Sequence, residues 1–334
     1  MAGKKRKSKQ AAGRKGRKKP APKRQSRLVR WAALLLLLGL VSLLTAGALY
    51  LFGSLEKRTA MENSAREALY QARTASWVPA APALWLARME DRLPGGHGLT
   101  VDPGELPLDE PHALAGLPQA GRALQLLRNA TFVLLFDPEE RQPVVLSARF
   151  SRETIGNREA AQPDGRYEDP RVAAPALDEL RSGPWLDGPL APLGPGHGPA
   201  AVRETRLSSA LVPMRPEFAE RVWEPLLKTL SQQFPQRFDE IWLHLGPVYA
   251  EPPSRTAAGV PIPDAFFVIA LDLTPAGGLR SLSFLVPADA RSFDAADQLC
   301  TIDQIEAATG LRFLPKLEPF ARKTLTRHAA DRSW

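Results

Sequence analysis

IWLHLGPVYAE at Ile241–Glu251, VPIPDAFFVIALDL at Val260–Leu273, LRSLSFLVPAD at Leu279–Asp289 and TIDQIEAATGLRFLP at Thr301–Pro315 succeed one another in the last third of the chain. The first three are apolar runs rich in β-branched and aromatic residues, bounded by Pro, Gly and Asp, which predicts strands over Ile241–Val248, Ala265–Leu273 and Leu279–Val286. The Pro-Ala-Gly-Gly turn between the last two makes them a hairpin. In the fourth run Thr301 precedes Gln304 by three residues, a capping box, and Gly310 supplies a C-terminal cap, so a short helix is predicted between them.

Working outward, Asn129–Phe136 (NATFVLLF) and Pro143–Phe150 (PVVLSARF) flank DPEERQ and predict an earlier hairpin. Pro216–Phe234 places Phe218, Val222, Leu226, Leu227 and Leu230 on one face of a helix, which Pro225 should kink or split at Glu224. Strands in antiparallel pairs with helices set apart from them give an α+β domain with a central antiparallel sheet and flanking helices.

Together with Tyr167-Glu168-Asp169-Pro170-Arg171-Val172, these segments resemble the DNA/RNA non-specific endonuclease family of ββα-metal nucleases over about 129–319. The resemblance implies metal-dependent phosphodiester cleavage. In the family a D-R-G-H motif carries the histidine that acts as general base, and a downstream helix supplies an asparagine that binds a divalent metal such as Mg²⁺. The chemistry requires both, because hydroxide must form near phosphorus while a hard cation stabilises the developing charge. The D-R-G-H counterpart is Gly194-Pro195-Gly196-His197, which keeps Gly196 and His197 and lacks the acid and the arginine. The pattern L-S-N-x-x-P-Q, three residues, then L-N-x-x-x-W-x-x-L-E lies on Ser208–Leu227 without gaps. Pro213, Phe218, Trp223 and Leu226 match it, while the two asparagine positions are Ala210 and Ala219 and the closing glutamate is Leu227. An alanine methyl offers Mg²⁺ no oxygen. Glu220 and Glu224, four apart on one helical face, are the replacement metal ligands the sequence offers; the competing reading is two solvated carboxylates. Val268 stands where many relatives carry lysine, and His244 on its strand reads as a core or sheet-face residue.

Before the domain, Trp31–Phe52 (WAALLLLLGLVSLLTAGALYLF) has no charge and enough length to cross a hydrocarbon core of about 30 Å. One transmembrane helix over 31–52 is predicted; a cleaved signal peptide with Ala46-Gly47-Ala48 as its site is the alternative. Residues 1–30 carry 14 Lys or Arg and no acid. The positive-inside bias places this arm in the cytoplasm and the domain on the far side, periplasmic or extracellular. The arm serves as a topology signal or contacts lipid headgroups or nucleic acid. Without those fourteen cations the remaining 304 residues hold 30 basic and 36 acidic side chains, a net charge of −6, so the domain shows no bulk basic character for nucleic-acid binding. The single cysteine, Cys300, excludes an internal disulfide and a Cys-based zinc site.

The expected organisation is a disordered basic arm at 1–30, the membrane helix at 31–52, a helical stalk and Pro/Gly-rich linker at 53–127, the nuclease-like domain at 128–319 and a tail at 320–334. Two functions follow. One is a membrane-anchored, catalytically impaired nuclease-like protein acting as a binding or structural module, with the membrane, nucleic acid or a protein as partner and no metal. The other is an active metal-dependent endonuclease with His197 as general base and Glu220 and Glu224 holding the metal. A third, an assembly role carried by the arm and stalk, leaves the domain incidental.

Overall fold

The computed structural model describes residues 77–91, 99–102, 110–151, 165–191, 198–238, 240–274 and 277–330, with isolated positions between 61 and 75 and at 106. Residues 1–60 lie outside this set, and with them the predicted arm and the predicted membrane helix at 31–52; so do His97 and His197. Among the described residues no helix is long and apolar enough to cross a membrane. The described positions between 61 and 73 are helical, and a helix α1 (Ala80–Asp91) follows.

The centre is a seven-stranded sheet. In chain order its strands are β1 (Leu99–Thr100), β3 (Gln125–Arg128), β4 (Phe132–Asp137), β5 (Gln142–Ser151), β8 (Glu240–Val248), β9 (Ala265–Leu273) and β10 (Gly278–Pro287). They lie in the order β1-β10-β9-β8-β5-β4-β3, and every pairing is antiparallel. The two predicted hairpins are β4–β5 and β9–β10, and β8 joins them through Leu146 opposite Leu245 on one side and Leu245 opposite Val268 on the other. Off the sheet, β2 (Gln119–Ala120) pairs with β11 (Leu311–Arg312), and β6 (Leu186–Pro189) pairs with β7 (Leu211–Met214).

Alternation along the strands feeds two cores, since successive side chains leave opposite faces. Ile241, Leu243, Leu245, Phe266, Val268, Ala270, Leu282 and Phe284 face the helix that follows β7. Trp242, Phe267, Ile269, Leu271 and Leu279 face the other way, against α6 (Ile302–Thr309), Phe313, Leu314 and α7 (Pro319–Arg327). Burial on both faces explains why these strands read as continuous apolar runs. Thr301 and Gln304 form the reciprocal cap of α6, and Gly310 closes it in the left-handed conformation at φ 65°.

Two sequence expectations meet a different outcome. The stretch from Leu93 to Gly116, expected to be a spacer, contributes β1 to the sheet edge and buries Leu106, Leu114 and Ala115 in the second core. Its apolar residues enter singly, without the periodicity that marks an element. The helix after β7, here α4 (216–237), runs beyond Phe234 and takes its prolines by widening. Five-residue π segments, Ala219–Trp223 and Thr229–Gln233, precede α-helical segments that begin at Glu224 and Phe234, each with proline second. Proline has no N–H to give and its ring crowds the carbonyl of the preceding turn; a wider turn relieves both.

Candidate functional site

The β6–β7 ribbon and the start of α4 carry the segment that matches the nuclease helix. Gly188 has to be glycine here, because a Cβ would lie 2.3 Å from Met214 Sδ. A 3₁₀ turn, Ser208–Ala210, leads into β7, and Leu190 N donates to Ala210 O at 3.0 Å. On α4, Phe218 and Trp223 pack on Phe266 of β9 with ring centroids 5.0 Å away in each case. Trp223 Nε1 donates to Pro189 O at 3.0 Å and so ties helix to ribbon. The two asparagine positions are therefore core positions: Ala210 is 0% exposed and Ala219 3%.

Glu220 and Glu224 are exposed, one turn apart on the outer side of the same helix. Glu224 lies within electrostatic range of Arg166. Among the described residues no group of three or more His, Cys, Asp or Glu side chains is placed to hold a metal ion. The described residues, which do not include His197, do not fit the divalent metal that the resemblance implies.

The Tyr167–Val172 segment docks on the 3₁₀ turn. Ser208 N donates to Tyr167 O at 2.7 Å, Ser208 Oγ accepts from Asp169 N at 3.0 Å, and Ser209 Oγ donates to Asp169 Oδ2 at 2.6 Å. Arg171 Nη2 donates to the same oxygen at 2.7 Å and its Nη1 to Arg128 O at 2.9 Å. Burial pushes the Asp169 carboxyl up, but the hydrogen bonds from Arg171 and Ser209 outweigh it and hold the group below the usual range. Arg171 is thus spent on structure and is not a free phosphate ligand.

One residue behind this docked segment lies a second cluster. Arg181 Nη2 donates to Asp187 Oδ2 at 2.8 Å, and Arg166 Nε lies 3.4 Å from the same oxygen. Asp187 is buried on β6. Burial lowers the Arg166 pKa, Asp187 opposes that, and Arg206 and Arg181 lower it further by repulsion. Arg203 stacks on Tyr167 at 4.4 Å and Arg215 on Trp185 at 5.0 Å. Sequence reasoning missed this cluster because its members come from four separate segments and form no spaced motif. Arg215, Arg221 and Arg291, with Glu217 and Asp289, line a cleft of about 530 Å³ where α4 begins.

Two other chemistry-bearing residues are structural. His244 is fully buried and its Nδ1 lies 2.7 Å from Ser147 Oγ, which makes it the sheet-face residue its strand predicted. Burial pushes the Cys300 thiol up to about 12, so it carries no reactive thiolate.

No family model and no curated protein sequence matches the chain. Among solved structures it is similar to a chain of the crystal structure titled for the EndoG/EndoGI complex and the mechanism of EndoG inhibition, with a TM-score of 0.54 and 16% identity over 64% of this chain and 92% of that one. At that identity the likeness concerns the fold: a central antiparallel sheet with flanking helices, in a nuclease-like arrangement.

Proposed function

We propose that this chain is a membrane-anchored nuclease-fold protein that has lost metal-dependent cleavage and works as a binding module on the far side of the membrane. The observation that carries the proposal is the burial of Ala210 and Ala219, whose methyls occupy the two asparagine positions of the family pattern, the helical one being the metal ligand, inside a packed core. No side-chain oxygen replaces them there, and a hard cation requires several. The ribbon supports the same reading. The D-R-G-H tetrad can also be laid on Leu186-Asp187-Gly188-Pro189, the strand hydrogen-bonded to β7. This register keeps Gly188, which the Met214 contact demands, puts an acid on the arginine position, and puts Pro189 on the histidine position. Proline has no group that can take a proton from water. Anchoring by 31–52, with 1–30 in the cytoplasm, belongs to the proposal and rests on the hydropathy and charge of those segments.

The test is a plasmid-nicking assay with purified protein in Mg²⁺ and in Mn²⁺, beside calorimetric metal titration of wild type, His197→Ala and Glu224→Gln. The expected result is neither nicking nor site-specific metal binding. Nicking abolished by His197→Ala or Glu224→Gln would establish the active-enzyme reading and end this one. Protease accessibility of the domain in sealed vesicles checks the orientation.

A further inference from the structure

Along one flank of α4 runs a cleft whose wall is apolar and whose charged lining is all of one sign. We infer that this cleft, between α4 and the loop after β10, binds an acyl chain with a single carboxylate head, the chain on the apolar wall and the carboxylate between Arg221 and Arg291. The inference makes no use of Ala210, Ala219 or the absence of a metal, so it goes beyond the loss of cleavage and stands apart from it.

Three observations carry it. First, the cleft is present and apolar. It has a volume of about 320 Å³, and its wall is built from Leu226, Leu230 and Phe234 of α4, Phe284 of β10 and Phe293 of the loop. Phe284 and Phe293 meet edge to face with centroids 5.2 Å apart, which holds the loop side to the sheet. At ~30 Å³ for each water-sized group, that volume takes on the order of ten non-hydrogen atoms, the size of octanoate. Second, the charge is one-sided. Arg221 and Arg291 are the charged residues among the described lining, and no acid joins them there. Both are exposed, and among the described residues neither makes an ion pair or a hydrogen bond. Third, α4 is shaped to the cleft. Its lining residues fall in rows four apart, Arg221, Pro225 and Thr229, then Leu226, Leu230 and Phe234. On a regular α-helix of about 3.6 residues per turn such rows wind away round the axis. The π segments Ala219–Trp223 and Thr229–Gln233 widen the average turn and keep the rows running along the groove.

The adjoining cleft, where α4 begins, sets the charge of the head. Arg221 and Arg291 line it too, now with Arg215, Glu217 and Asp289. Three cations against two acids leave a single positive charge over the two clefts together. A monoanion is matched by it; a phosphate dianion is opposed by Glu217 and Asp289, and a cationic head by the arginines. Guanidinium forks meet the two oxygens of a carboxylate together, which fixes the head at the junction of the clefts and directs the chain along the apolar wall.

The experiment places the full chain in phosphatidylcholine nanodiscs and titrates it by calorimetry with butyrate, hexanoate, octanoate, octylammonium and octyl phosphate, with empty nanodiscs as the blank. Octanoate should bind saturably. Affinity should rise by roughly three- to fourfold for each methylene buried, about tenfold from hexanoate to octanoate. Octyl phosphate should bind more weakly than octanoate, and octylammonium should not bind. Arg221→Gln and Arg291→Gln should each weaken octanoate about tenfold, as expected for loss of one charge-assisted contact. Ser292→Trp, at an exposed position on the cleft, fills it and should abolish binding; the arginine variants, also at exposed positions, keep the test intact if that one misfolds. The inference is overturned by any of five results: no saturable octanoate binding, equal affinity for butyrate and octanoate, octylammonium or octyl phosphate binding as tightly as octanoate, both arginine variants unchanged, or a folded Ser292→Trp that still binds. Nicking in Mg²⁺ bears on the loss of cleavage alone, so the two proposals fail separately.

Discussion

His244 makes the stability of this domain depend on pH between about 6.5 and about 4. The imidazole is fully enclosed, its Nε2 makes no hydrogen bond, and burial alone lowers its pKa from 6.5 to about 4. Between those values the unfolded chain binds a proton that the folded chain refuses, so stability rises with pH across the interval. It is at its full value above pH 6.5, falls by about 1.4 kcal/mol per pH unit below it, and levels off once pH passes the folded value. From pH 7 to pH 5 the loss is about 2 kcal/mol, and by pH 4 about 3 kcal/mol. The assay is urea unfolding of the compact unit Thr59–Trp334 followed by tryptophan fluorescence. With a slope of about 2–3 kcal/mol per molar, the midpoint should fall by roughly 0.7–1 M between pH 7 and pH 5. His244→Gln keeps a partner for Ser147 Oγ and removes the titrating group, so its midpoint should fall much less. Equal losses in wild type and variant would show that the ring takes its proton in the folded state, and the burial argument would be wrong.

Other outcomes follow from particular contacts. Asp272 and Arg280, opposite each other on β9 and β10, are 2% and 7% exposed and 2.9 Å apart, with Arg280 over the Phe238 ring at 4.8 Å. Asp272→Ala takes the carboxylate from a buried guanidinium and should cost about 3–5 kcal/mol in urea unfolding, whereas an unchanged midpoint would mean that the pair adds nothing to stability. Trp223→Ala removes the largest side chain between α4 and β9 together with the bond to Pro189 O, and should cost about 3–5 kcal/mol; Trp223→Phe should recover more than half of that. Asp169→Asn should destabilise at pH 7 and converge with wild type below the folded pKa of the group, because a carboxyl held low contributes stability that is lost as pH falls through that value. Ala219→Asn should lose about 2–4 kcal/mol from overpacking and a buried amide without partners, and should gain no Mg²⁺ binding by calorimetry.

The frame was legible in the sequence where a local rule applied. The strands Ala265–Leu273 and Gly278–Pro287 follow from apolar runs around a turn, and the α6 cap from Thr301, Gln304 and Gly310; Pro225 marked an irregularity in α4, which the helix meets with a wider turn and not with a break. What escaped was assembled from residues distant in the chain. Leu106 and Leu114 are buried by contact with α6 and α7 and not by any pattern of their own. The cluster at Asp187 draws Arg166 and Arg181 from separate segments, and nothing in their spacing announces it. The candidate ligands show the converse. Glu220 and Glu224 share a helical face as their spacing requires, but spacing says nothing of Arg166, a cation within electrostatic range of Glu224.

The proposed loss of a metal site is compatible with survival of the fold, because different atoms would carry the two. Phe218, Trp223 and Phe266 hold α4 to the sheet by ring contacts that need no ligand. Ala210 and Ala219 add apolar burial where an asparagine amide, without its metal, would have to be desolvated at a cost. Once the cation is gone, alanine is the more stable choice at both positions, and selection for stability alone favours it.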